Sequence, residues 1–235
     1  KHTIPYSRLE PLAQHFFQPF SRHTSALMAA ASAHYSTGST PLLGFQKGQR
    51  LGLDIGNVLS AKRERNSWHR YVDEGAYAFL LCYGAVYGFD TLYIITRVDG
   101  DPTYMRDDGS VGEHWVLKFL RKGLGLFDLG MPEEHAELVK ERTAKAAVAA
   151  RMQLSVFVDD HPEVLRSIHR RIPNIWLIHY DNRRQDSHMP AEIESFAIPM
   201  MNWRRLALRL GIPPILVQTV FDSHLLAFPP FQKHM

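Results

Sequence analysis

Three short apolar runs in this chain each stop on a polar residue. Leu51-Gly52-Leu53 runs into Asp54, Leu92-Tyr93-Ile94-Ile95 into Thr96, and Ser155-Val156-Phe157-Val158 into the pair Asp159-Asp160. Runs without apolar–polar alternation belong to strands buried on both faces, the condition of a parallel sheet sandwiched by helices. The spacing predicts those helices over 66–88 (Tyr71, Ala76, Phe79, Leu80 and Tyr83 inward) and 109–122 (Val111, Trp115, Val116, Phe119, Leu120). It predicts two more over Thr143–Met152 and from Pro162, where Val164, Leu165 and Ile168 share a face and proline suits the first helical turn. Further strands are expected at Ala136–Lys140 and Asn174–His179. Strands alternating with helices imply an α/β fold, a three-layer Rossmann-like parallel sheet with N- and C-terminal extensions. In such sheets ligands bind beyond the carboxyl ends of the strands, where Asp54, Thr96 and Asp159-Asp160 fall.

Charge divides the chain unevenly. Of a formal net charge of +3, residues 1–50 carry +4 and the rest −1. Residues 1–47 form a basic N-terminal arm with six serines, four histidines and a single acid, 48–200 the core, and 201–235 a C-terminal helix and tail. An acid-poor, serine-rich front resembles organellar transit sequences. Two readings stand for it: a targeting leader, or an arm of the mature protein held by its own domain or by a partner. The location expected is intracellular and soluble, in a mitochondrion or plastid. Nucleic-acid contact is left open at the basic arm, while the near-neutral core does not call for it.

Several function classes drop out. The one cysteine, Cys82, excludes an internal disulfide and a cysteine-rich zinc cluster, and its apolar surroundings read as core. The longest apolar run, Ala76–Phe89, is 14 residues, short of the roughly 20 that cross a bilayer, so no membrane span is expected. Thirteen histidines include no His-Glu-x-x-His pair, and there is no P-loop, Gly-x-Gly-x-x-Gly or Gly-x-Ser-x-Gly. In the tail, Asn202–Leu210 reads as a short basic amphipathic helix, and 215–228 (Ile215, Leu216, Val217, Val220, Phe221) is more apolar than a free tail tolerates. It either packs on its own domain or docks on a larger assembly.

The ordered set Asp54-Ile55-Gly56-Asn57-Val58, Ile94-Ile95-Thr96, Lys145 and Val156-Phe157-Val158-Asp159-Asp160 resembles the four motifs of the haloacid dehalogenase (HAD) superfamily of aspartate-nucleophile phosphohydrolases. The resemblance runs from about Leu51 to Tyr180 and is nearest an uncharacterised group whose first motif reads Asp-Ile-Gly-Gly-Val. It implies that Asp54 attacks phosphorus, that Thr96 hydrogen-bonds a phosphoryl oxygen, and that Lys145 neutralises charge. It implies Mg2+ bound by Asp54, the Gly56 carbonyl, and Asp159 or Asp160. The 42 residues from Asp54 to Thr96 and the 49 from Thr96 to Lys145 leave no space for a cap domain. A capless core has an open crevice, which in the family goes with macromolecular substrates or a partner acting as lid. The turns Asp99-Gly100-Asp101-Pro102 and Asp107-Asp108-Gly109 are candidates for a small flap.

One departure weighs on function. Where the family usually has a second aspartate, the general acid and base, this chain has Gly56. Such catalysis is typically worth about 10²–10⁴-fold, so turnover should weaken without loss of phosphate binding. The first expectation is therefore a HAD-like, mainly non-catalytic subunit of a larger, organellar assembly. It would contact other protein subunits through the arm and tail and keep a partial Mg2+ and phosphate site. The alternative is a capless Mg2+-dependent phosphohydrolase working through an aspartyl-phosphate.

Overall fold

The structure, a computed structural model, describes residues 44–60, 73, 75–99, 104–105, 111–112, 114–181 and 191–227. In chain order the elements are β1 (Leu51–Leu53), α1 (Ala76–Tyr87), β2 (Leu92–Arg97), β3 (Tyr104–Met105), β4 (Val111–Gly112) and α2 (Trp115–Lys118). There follow β5 (Ala136–Val139), α3 (Ala144–Arg151), β6 (Val156–Asp159), α4 (Pro162–Arg171) and β7 (Trp176–Tyr180). The series closes with α5 (Ala191–Glu194), β8 (Ala197–Met200), α6 (Trp203–Arg209) and α7 (Pro214–Ala227). Six strands form one sheet in the order β5-β2-β1-β6-β7-β8, every neighbouring pair parallel, and β3 and β4 make a separate antiparallel pair. The fold is the Rossmann-like α/β sheet expected. Its strand order reverses direction between β1 and β6, which makes the gap between their carboxyl ends the topological switch point.

Alternation along each strand feeds two cores. Leu51, Leu53, Ile94, Val156 and Val158 point into one core with α1, α6 and α7, while Tyr93, Ile95 and Phe157 point into the other with α3 and α4. Gly52 sits where a Cβ would lie 2.4 Å from Leu154 and 2.5 Å from Phe157, so at the centre of β1 the second core accepts no side chain. Helix α1 is apolar all round and buries Phe79, Leu80, Cys82 and Tyr83, as a helix held between the sheet and other helices must.

The tail is part of this packing. Leu216, Val217, Val220 and Phe221 of α7 are buried in the same core as α1, and the Tyr87 hydroxyl donates to the Leu210 carbonyl. Trp203 at the start of α6 packs its ring 4.9 Å from Phe79 and 4.6 Å from Tyr180 and donates Nε1–H to Asp73 at 2.7 Å. Leu216, Val217, Val220 and Phe221 of the apolar stretch therefore cover their own domain.

Differences from expectation are local. The helix expected over 109–122 begins only at Trp115, because His114 caps it by accepting the Val116 N–H, and Val111–Gly112 pairs as β4. It ends in a π-helical turn, Phe119–Gly123. The helix expected from 66 is described from Ala76 onward, the preceding residues 66–72 lying outside the described set. So do residues 1–43 of the arm, residues 228–235 and most of the two acidic turns. Strand β8 is an addition; among the described residues it pairs only with β7, and Pro199, which offers no N–H, fits an edge. Among the described residues no helix is long and apolar enough to cross a membrane.

Candidate active site

Each charged residue of the candidate site is placed by the end of a strand or the start of a helix. The Asp54 N–H donates to the Val158 carbonyl at 3.0 Å, which carries the β1–β6 pairing one residue beyond β1 and fixes Asp54 at the switch point. The chain then turns sharply: the Ser60 N–H and hydroxyl both donate to the Ile55 carbonyl, at 2.9 and 3.0 Å. Asn57 takes a left-handed conformation, φ 56°, which asparagine tolerates better than most residues. Its side-chain amide donates to Asp160 Oδ2 at 2.7 Å and so ties the turn after β1 to the end of β6.

Lys145 enters from the first turn of α3 and is 2 % exposed. Its Nζ lies 2.9 Å from Asp54 Oδ1 and 2.8 Å from Asp159 Oδ2. The other Asp159 oxygen accepts the His161 N–H at 2.8 Å. His179 Nε2–H donates to the Asp160 carbonyl at 3.1 Å. Thr96, near the end of β2, is buried on the opposite flank. All six residues singled out in the sequence, Asp54, Gly56, Thr96, Lys145, Asp159 and Asp160, line one cleft of about 500 Å3. A wider groove of about 600 Å3 runs between α3 and α4 past Glu163, Arg166 and Arg170, but no buried ionisable group lines it.

The electrostatics show an excess of negative charge. Burial pushes the Asp159 carboxyl up, to about 7, against the pull of Lys145. Burial also raises Asp160, opposed by the Asn57 hydrogen bond. For Lys145, burial favours the neutral amine, yet Asp159 and Asp54 together outweigh it and hold the ammonium above its usual range. His161 is held below the histidine range by burial and then by the neighbouring Arg142 guanidinium. Three carboxylates thus face one ammonium, a formal charge of −2 when all are ionised.

This donor set fits a hard divalent cation. One oxygen from each of Asp54, Asp159 and Asp160 lies within 4.8 Å of the others, and Mg2+ prefers carboxylate, carbonyl and water oxygens. Gly56 leaves space in front of these groups: a Cβ there would meet only Asp54 Oδ2, at 3.7 Å. Arg142, His161, Asn57 and Ser60 also line the cleft and were not singled out from the sequence as site residues. Only Asn57 had a local signal, the Gly-Asn turn; the others reach the cleft through α3, α4 and the turn after β1.

No protein-family model matches the chain, and no curated protein matches it. Solved structures do. A de novo designed Rossmann 3x3 fold protein aligns over 80 % of this chain and 99 % of its own, at 12 % identity and a TM-score of 0.36. A hypothetical protein from Xanthomonas campestris aligns over 83 % of this chain and 96 % of its own, at 15 % identity and a TM-score of 0.38. The Rossmann-like order of this sheet stands on its own strand registers, independent of either likeness.

Proposed function

We propose that the chain is a capless, HAD-type Mg2+-dependent phosphohydrolase whose nucleophile is Asp54. The observation that carries the reading is Lys145, buried between Asp54 and Asp159 with Asp160 beside them at the switch point. Desolvating charges costs several kcal/mol per ion, and such a cluster adds little to stability over apolar packing of equal volume. A fold has reason to keep it where an anion must be bound and its charge offset.

In this reading Lys145 fixes Asp54 through Oδ1 and leaves Oδ2 turned toward the open space over Gly56, where a phosphate ester has access. The Asp54 carboxylate displaces the alcohol from phosphorus; the P–O ester bond breaks as the aspartyl–phosphate bond forms, and water then releases phosphate and restores the carboxylate. The Thr96 hydroxyl donates to a phosphoryl oxygen. Asp54, Asp159, Asp160 and the Gly56 carbonyl would hold Mg2+, which when bound would supply the positive charge that lets one anion approach another. Gly56 offers no acid to the leaving group, so activated esters with good leaving groups are the better substrates.

A second reading, a HAD-like subunit of an organellar assembly that binds phosphate without turning it over, is favoured by the same Gly56. It loses one support, since α7 packs on α1 of its own domain. The choice is made by assaying Mg2+-dependent hydrolysis of p-nitrophenyl phosphate by the wild-type chain and by Asp54→Asn. Turnover abolished in the variant supports the phosphohydrolase; turnover equal in both, or none in either, overturns it.

A further inference from the structure

Among the described residues of the cleft, one positive charge is paired with no other group. Arg97 is paired with Asp99 at 2.8 Å, and Lys145 is shared between Asp54 and Asp159. Arg142, three residues before Lys145 in the connection from β5 to α3, is half-buried and lines the same cleft. Among the described residues its guanidinium has no hydrogen bond or ion pair. Two of the acids that line the same cleft are already engaged: Asp160 Oδ2 by Asn57, and both Asp159 oxygens by Lys145 and the His161 N–H.

A guanidinium is a planar fork that matches two oxygens of a phosphate or carboxylate, and it is always charged. Lys145, at 2 % exposure, is closed off by the two carboxylates it pairs with, whereas Arg142 is only half-buried and its charge acts on His161 of the same cleft. Arg142 is therefore open to a ligand from solvent in a way that Lys145 is not. We infer that Arg142 recognises a second anionic group of the substrate, so that the preferred substrates are phosphate esters carrying another phosphate or a carboxylate. This inference rests on the phosphohydrolase reading of the same site, and Arg142 is a specificity residue in it.

The test is binding, read by calorimetry with Mg2+ in constant excess, so that it does not depend on turnover. The probes are non-hydrolysable: methylphosphonate, the diphosphonates from methylenediphosphonate to butane-1,4-diphosphonate, and the phosphonocarboxylates of matching length. The expected result is that at least one two-anion probe binds tenfold or more tighter than methylphosphonate. Arg142→Gln should erase most of that ratio, and Arg142→Lys should restore only part of it. Preference for the diphosphonate or the phosphonocarboxylate series then identifies the second group. If methylphosphonate binds but no two-anion probe binds tighter, or the ratio survives Arg142→Gln, the inference fails while the phosphate site stands. If neither methylphosphonate nor any two-anion probe binds the wild-type chain with Mg2+, both readings fall.

Discussion

Replacing Lys145 with methionine keeps its unbranched shape, one atom shorter, and removes its charge, and the structure sets the size of the effect. The change leaves Asp159, fully buried, and Asp54, 7 % exposed, without the ammonium that sits 2.8 and 2.9 Å from them. Removing one partner of a buried ion pair costs about 3–5 kcal/mol. In a domain of this size about 1 kcal/mol moves Tm by roughly 2–4 °C, so a fall of roughly 6–20 °C is expected. Burial already raises the Asp159 pKa, so the variant can relieve itself by taking up a proton; the loss should be largest near about pH 8 and smaller near about pH 5. Mg2+ should restore part of the loss and stabilise the variant more than the wild type, since the cluster then carries three uncompensated carboxylates. Thermal unfolding in EDTA and in millimolar Mg2+ measures both quantities. A variant within about 2 °C of wild type in EDTA at about pH 8 would refute the ion-pair account of this site.

The other predictions concern steric space, the tail and the buried thiol. Gly56→Asp should fold, because its Cβ meets nothing closer than Asp54 Oδ2 at 3.7 Å, and it should raise hydrolysis of esters with poor leaving groups by about tenfold or more; unchanged rates would show that an acid at this position does not reach the leaving group. Gly52→Ala should cost about 1–3 kcal/mol in urea denaturation, since its Cβ would stand 2.4–2.5 Å from Leu154 and Phe157, and undiminished stability would mean that the second core can give way. Leu216→Ala in α7 should cost about 2–5 kcal/mol if the tail is part of the core; a neutral effect would return it to the role of a docking arm. Burial pushes the Cys82 thiol up to about 12, so the folded state keeps a proton that the unfolded state loses above about pH 9. Its contribution to stability is complete below that pH and falls by up to about 1.4 kcal/mol per pH unit above it, which alkaline urea titrations of wild type and Cys82→Ala compare directly.

The sheet was legible in the sequence because its central strands are buried on both faces. Leu92–Ile95 and Val156–Val158 are unbroken apolar runs, and the polar residues that stop them mark the carboxyl ends where the cleft lies. Strand β8 escaped notice because Ala197–Met200 is short, lies at an edge and contains Pro199. The helix start at Trp115 was misplaced because Val111 fits a helical spacing and a strand equally well, and His114 as a cap is seen only once its ring meets the Val116 N–H. Lys145 was found through a family resemblance; its own helix, rich in alanine, does not distinguish it from a surface lysine. Arg142 and His161 have no local signature at all, since the crossovers from β5 to α3 and from β6 to α4 are what bring them to the cleft.

The central claim is that Asp54 is a nucleophile in a Mg2+-supported phosphate site. Beryllofluoride binds an aspartate carboxylate as a mimic of aspartyl-phosphate, and its uptake requires no knowledge of the substrate. Fluorine NMR of the chain with Mg2+ and beryllofluoride should show a bound signal that is absent without Mg2+ and absent in Asp54→Asn. A bound signal that persists in Asp54→Asn, or no bound signal in the wild-type chain with Mg2+, would contradict the account.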